Sequence, residues 1–155
     1  MLKINEKAPD FKLKNKEGVF YSLKDFNSDF LIIYFYPRDN TPGCSIEASE
    51  FSEDLNEFRK LNAKIVGISG GDEESKKKFS EKYDLRVLLL SDHDFSTCKR
   101  YSVYGEKKFI GNEFLGINRV TFVLDKDKKI IRIFEKVNPR GHSQEVLEFL
   151  RNERS

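Results

Sequence analysis

The stretch LIIYFYPRDNTPGCSIEASEF, residues 31–51, decides how the chain reads. Its first six residues are an unbroken apolar run of β-formers, the pattern of a strand covered on both faces. Past Pro37 the texture changes. Ile46, Phe51, Leu55, Phe58 and Leu61 recur at roughly helical spacing with Glu and Lys between them, so one helix with one apolar stripe is expected to begin just after Gly43. Pro37 ends the strand, and Pro42 bars an earlier helix start by biasing Thr41 toward extended geometry. Cys44, one of two cysteines in 155 residues, falls in the first helical turn. There, unpaired backbone N–H groups and the positive end of the helix dipole favour a thiolate, the nucleophilic form of cysteine. Thr41, three positions earlier, can bring a hydroxyl near the sulfur. Gly43 leaves room for a small molecule to approach the backbone. Composition alone favours a different reading, a buried and inert cysteine.

Working outward, AKIVGIS (63–69) and RVLLLSD (86–92) read as further buried strands, separated by a loop and helix in GGDEESKKKFSEKY. DFSTCKRYSV reads as a short helix opened by Asp94. VTFVLD and KIIRIFE form a hairpin around residues 125–129, and SQEVLEFLRNE closes the chain as an amphipathic helix with Ser143 as N-cap. FKLKNKEGVFYSL reads as an N-terminal hairpin turning at Glu17 and Gly18. The order is hairpin, β-α-β-α-β-α, hairpin, α. It predicts an α/β protein with a mixed sheet flanked by helices: a thioredoxin-like fold with an N-terminal β-hairpin extension. A flavodoxin-like sheet is the alternative, and the late hairpin argues against it.

Without repeats or linkers, residues 1–155 are expected to form one domain. The 28 basic and 26 acidic residues nearly cancel, which gives no reason to expect a nucleic-acid or membrane partner. Lys76, Lys77 and Lys78 alternate with acidic neighbours and read as a solvated helix face. MLKINEKAPD lacks the apolar core of a signal peptide, and no run approaches the ~20 residues that span a bilayer, so a cytoplasmic location is expected. Asp92, His93 and Asp94 look like a metal cluster, but a strand-end turn with a helix cap explains them. His142, before the last helix, reads as a surface or capping residue. No metal or other cofactor is expected.

Several segments in order resemble the peroxiredoxins of the bacterioferritin comigratory protein, or peroxiredoxin Q, group. YFYPRDNTPGCSIEASEF is similar to that group's active-site segment, with Pro37, Thr41, Cys44 and Glu47 at matching places. APDFKL, LLSD, YSVYGEKKFIGNEFLGINRVTFVLD and NPRGHSQEVLEFL resemble its other landmarks, so the likeness covers essentially the whole chain. The resemblance implies a thiol peroxidase acting on hydrogen peroxide and organic hydroperoxides. Cys44 would be the peroxidatic cysteine, oxidised to a sulfenic acid. Arg119 would pair with the thiolate and the peroxide, Thr41 would hydrogen-bond the peroxide, and Pro37 would shield the sulfur. Glu47 would orient an arginine.

The chain departs from that group where a resolving cysteine is usual. Ser49 stands five residues after Cys44, and Ser80 stands at the alternative position in the next helix. The remaining thiol, Cys98, reads as a small buried core residue and, alternatively, as a resolving thiol. A one-cysteine cycle is therefore expected, with thioredoxin, glutaredoxin or glutathione as outside reductant and a monomeric or weakly dimeric protein. The alternatives are a two-cysteine cycle through Cys98, a thioredoxin-type disulfide oxidoreductase, which the absence of a closely spaced second cysteine disfavours, and a non-catalytic binding or chaperone-like module.

Overall fold

The computed structural model describes residues 2–109 and 111–154. An N-terminal hairpin of two short strands, β1 (Leu13–Lys14) and β2 (Phe20–Tyr21), precedes the central strand β3 (Phe30–Phe35). Helices α1 (Pro42–Glu53) and α2 (Leu55–Lys60) lead to β4 (Ala63–Ser69), then α3 (Glu73–Tyr83) and β5 (Leu88–Ser91). A short α4 (Ser96–Arg100) is followed by strands β6 (Tyr104–Phe109), β7 (Asn112–Ile117), β8 (Val120–Leu124) and β9 (Ile130–Phe134), and α5 (His142–Arg154) ends the fold.

Seven strands form one mixed sheet in the order β2-β1-β5-β4-β3-β8-β9. Strand β3 lies inside it, parallel to β4 and antiparallel to β8, and all of its residues are buried. That double coverage is why its sequence is continuously apolar rather than alternating. The expected mixed, helix-flanked, thioredoxin-like sheet with an N-terminal hairpin is therefore present. No helix among the described residues is long and apolar enough to cross a membrane.

The sheet separates two cores. On one face Ile32 and Tyr34 of β3 pack with Phe51 of α1, Phe58 of α2, Phe79 of α3 and Leu147 of α5. On the other face Leu31, Ile33 and Phe35 pack with Phe11, Phe26, Tyr101 and Phe122. The period-2 alternation of a strand thus sends neighbouring β3 side chains into different cores. Cys44 belongs to the first core and Cys98 to the second. Gly67 of β4 lets Tyr34 lie flat on the first face, since a Cβ there would stand 2.6 Å from Tyr34 Cζ and 2.8 Å from Leu89 Cδ2.

Several local expectations change. The single helix after Gly43 is two, broken at Asp54, whose carboxylate accepts from Ser143 Oγ at 2.7 Å and Gln144 Nε2 at 3.0 Å. The break shifts the stripe: Phe51 and Phe58 are fully buried, while Ile46, Leu55 and Leu61 are half-buried. Ser143, expected as an N-cap, lies inside the first turn of α5 and ties that helix to α1 instead. Asp94 does accept from Ser96 N, but the N-cap position of α4 is Phe95, and the buried Asp92 carboxylate accepts from the first-turn amides of Thr97 and Cys98 at 3.2 and 2.7 Å. His142 is no surface group. It is buried between Thr121 Oγ1 and Glu145 Oε1, each at 2.8 Å, with Phe51 and Phe134 edge-on to its ring. Strands β6 and β7 form a two-stranded sheet of their own, a hairpin the sequence reading did not separate. Lys76, read as part of a solvated face, is fully buried.

Candidate active site

The site is built at the junction of β3 and α1. Thr41 is the N-cap residue with extended backbone (φ −98°, ψ 155°), Pro42 opens the helix, and Cys44 is its third residue. This is the geometry that Pro42 dictates, because the residue before a proline avoids the helical region and proline fits the first helical position. The first intrahelical bond runs from Ser45 N to Thr41 O at 2.8 Å, so the Gly43 and Cys44 amides lie ahead of it at the positive end of α1. The Thr41 hydroxyl donates to the carbonyl of Arg38 at 3.1 Å.

Arg119 enters from the far side of the sheet's sequence, just before β8. Its Nη2 lies 3.5 Å from Cys44 Sγ and its Nη1 2.7 Å from Glu47 Oε1. One planar guanidinium therefore bridges the sulfur and a carboxylate one helical turn further on, a fork that a lysine does not offer. Gly43 makes room for this cation, since a Cβ there would stand 3.1 Å from Arg119 Nη2. Cys44 is 1% exposed. Burial works against the charge on Arg119, but the charges of Cys44 and Glu47 hold its pKa above the ordinary arginine value.

Two further groups reach the site without a signal in the local sequence. Lys107 of β6 lies within electrostatic range of both Cys44 and Arg119, and its ammonium donates to Ile117 O at 2.8 Å. Burial, then the neighbouring Arg119 cation, lower its pKa. Tyr34 sits beneath the site in the core with its hydroxyl buried and without a hydrogen-bond partner among the described residues, and burial followed by the Glu47 charge raises its pKa. Pro37 flanks the same loop. Cys98, by contrast, is fully buried on the opposite face, and burial followed by the charge of Asp92 pushes its thiol pKa far up. Of the sequence candidates, Cys44, Glu47 and Arg119 are in direct contact, Pro37 and Thr41 lie in the loop that leads into α1, and Cys98 does not join them.

Glu47 carries a pH dependence. Burial raises its carboxyl pKa to about 7, with Arg119 opposing the shift. Because the folded-state value lies above the unfolded one, Glu47 contributes least to stability when ionised. Its contribution is complete below the ordinary carboxylate range and is lost as pH rises through about 7. Denaturant melts at pH 5 and pH 8 should show wild type losing more stability across this interval than Glu47→Gln, by on the order of 3 kcal/mol. Equal losses in the two proteins would remove Glu47 as the titrating group.

Residues 4–133 match the sequence profile of the AhpC/TSA family. A putative peroxiredoxin bcp of Helicobacter pylori is 44% identical over 149 residues, covering 96% of this chain and 98% of that protein. Among solved structures, a PrxQ variant from Xylella fastidiosa superposes with TM-score 0.93 at 31% identity, over 100% of this chain and 99% of the other. The bacterioferritin comigratory protein of Xanthomonas campestris, a structure described for alkyl peroxide reduction, superposes with TM-score 0.86 at 35% identity, over 94% and 92% of the two chains. A matching profile over most of the length, close relatives along nearly all of it and a cysteine–arginine pair at the strand-to-helix junction make this chain a member of the AhpC/TSA family, and within it a peroxiredoxin of the Bcp and PrxQ kind.

Proposed function

We propose that the protein reduces hydrogen peroxide and organic hydroperoxides by a one-cysteine cycle at Cys44, with an outside thiol as reductant. The contact of Arg119 with Cys44 Sγ carries the reading, because a permanent cation against the sulfur stabilises both the attacking thiolate and the charge that moves onto the leaving oxygen. In the first half-reaction the Cys44 thiolate attacks the terminal oxygen of ROOH. The S–O bond forms as the O–O bond breaks, and the alkoxide or hydroxide takes up a proton and leaves as ROH or water. The sulfur becomes a sulfenic acid. Thr41 turns its hydroxyl from the Arg38 carbonyl to the bound peroxide, and Pro37 keeps bulk water from the sulfur. Glu47 holds the guanidinium in place through its 2.7 Å contact.

The opposite-face placement of the two thiols supports the one-cysteine cycle. Joining Cys44 to Cys98 needs Cα atoms within about 7 Å, and the seven-stranded sheet stands between their two cores. Local opening of α1 and α4 does not remove that barrier. A thioredoxin-type disulfide oxidoreductase lacks its second thiol here for the same reason. Thioredoxin, glutaredoxin or glutathione in the cytoplasm fits the need for an outside reductant, and nothing in the cycle requires more than a monomer. The test is mass spectrometry of peroxide-treated protein trapped with dimedone. The expected product is a dimedone adduct at Cys44 with Cys98 unmodified, and a quantitative Cys44–Cys98 disulfide would overturn the one-cysteine cycle.

A further inference from the structure

Lys76 carries an ammonium with no exposure at all, which is costly unless it is paired and hydrogen-bonded. Its Nζ donates to Asp39 Oδ2 at 2.9 Å, to the carbonyl of Gly70 at 2.6 Å and to Ser69 Oγ at 3.2 Å, so three acceptors meet its three protons. Asp39 is equally engaged. Its Oδ1 accepts from Tyr36 Oη at 2.6 Å, and its Oδ2 accepts from Ser75 Oγ at 2.6 Å as well as from Lys76. Asp39 stands midway between Pro37 and Thr41, in the loop that delivers Cys44 to the start of α1, and the next residue, Asn40, is in the left-handed region at φ 61°. The loop is pinned through Asp39, by Lys76 and Ser75 of α3 and by Tyr36, and Lys76 is held in turn at the end of β4.

We propose that the Lys76–Asp39 pair is a latch on this loop, which positions Pro37 and Thr41 against Cys44 when closed and admits the outside thiol to the Cys44 sulfenic acid when open. The inference rests on the one-cysteine reading above. A sulfur that is 1% exposed must be uncovered before a second thiol can reach it in line. In that step RSH attacks the sulfenic sulfur, an S–S bond forms as the S–O bond breaks, and the oxygen leaves as water. A second thiol then attacks the R sulfur and returns the Cys44 thiol with a free disulfide.

An ion pair suits a contact that must open and reclose. Separating an apolar plug exposes it to water at a cost, whereas a separated ammonium and carboxylate recover the hydration they lost on burial. There is also space for the movement. An open cavity of about 700 Å³ borders the loop, lined by Pro37, Arg38, Asp39, Asn40, Gly70 and Ser75 among others. Lys76 and Asp39 are thus positioning residues that act through the loop, not groups that touch peroxide.

The two half-reactions separate this role from a merely structural one, because a latch affects them in opposite directions. The variants are Asp39→Asn with Lys76→Met, which removes both charges together, and Ser75→Ala, which removes one hydrogen bond to Asp39. Peroxide oxidation is measured by competition with a haem peroxidase for limiting hydrogen peroxide. Reduction is measured by quenching a preformed Cys44 sulfenic acid against dithiothreitol and counting its loss by mass spectrometry. In the double variant oxidation should slow about tenfold and reduction should accelerate about tenfold, with the same signs at about threefold in Ser75→Ala. Half-reactions that both slow, or that both stay unchanged, overturn the latch, and if the double variant fails to fold, Ser75→Ala alone decides. Failure of the peroxidase reading looks different: wild-type Cys44 would then not be oxidised by peroxide at all.

Discussion

Cys44→Ser should lose peroxide consumption altogether, a fall of at least about 10³-fold, while Cys98→Ser keeps it within about twofold. The asymmetry follows from where each sulfur lies. Cys44 stands in the first turn of α1 with a guanidinium nitrogen 3.5 Å away. Cys98 stands in the other core, among Phe35, Tyr101 and Val103, with the Asp92 carboxylate fixed to its own backbone amide. A serine oxygen at position 44 has the same place but far too little nucleophilicity near neutral pH. The measurement is hydrogen peroxide and an alkyl hydroperoxide consumed with thioredoxin, glutaredoxin or glutathione supplied in turn, alongside thermal melts to show that both variants fold. Cys98→Ser that folds but loses all turnover with every reductant would restore Cys98 as a resolving thiol.

The residues that the sequence made legible are those governed by local rules. Pro42 fixes where α1 starts because it restricts its own backbone and that of Thr41, and no distant contact is needed to see it. Strand β3 is legible for a similar reason, since burial on both faces leaves a continuous apolar run. Arg119 had no local signal. Its meaning depends on Glu47 and Cys44, 72 and 75 positions earlier, and only the likeness to other peroxiredoxins pointed to it. Lys76 was read the wrong way around because three consecutive lysines have a helical face each, and the one turned inward depends on Asp39, 37 residues upstream. His142 depends likewise on Thr121.

The β6–β7 hairpin carries a weak local signal. Gly111, at φ 77°, turns the chain between two runs whose charged and half-exposed residues give little alternation. That hairpin is not peripheral to the chemistry. It carries Lys107 toward Cys44 and feeds directly into Arg119, so the basic side of the site comes from the part of the chain whose structure was least visible in its sequence. The acidic and nucleophilic side, on α1, was the more legible half.

The division also sets what loss of the arginine should do. Arg119→Met should lower the second-order rate of Cys44 oxidation by hydrogen peroxide about 10³-fold, and Arg119→Lys about 10²-fold. Methionine removes the charge and leaves Glu47 buried as an acid without its partner. Lysine keeps one charge but is a single point on a flexible stem, so it cannot hold Glu47 Oε1 and Cys44 Sγ together as Nη1 and Nη2 do. Lys107 does not compensate, because its ammonium is committed to the Ile117 carbonyl at 2.8 Å and its charge is itself disfavoured by burial. Alkylation of Cys44 by iodoacetamide at fixed pH should slow in the same order, which separates a weakened thiolate from a lost peroxide contact. If oxidation by peroxide falls 10³-fold while alkylation is unchanged, Arg119 acts on the peroxide alone. If neither rate moves by more than about threefold, the guanidinium contact that carries the functional reading has no part in the chemistry.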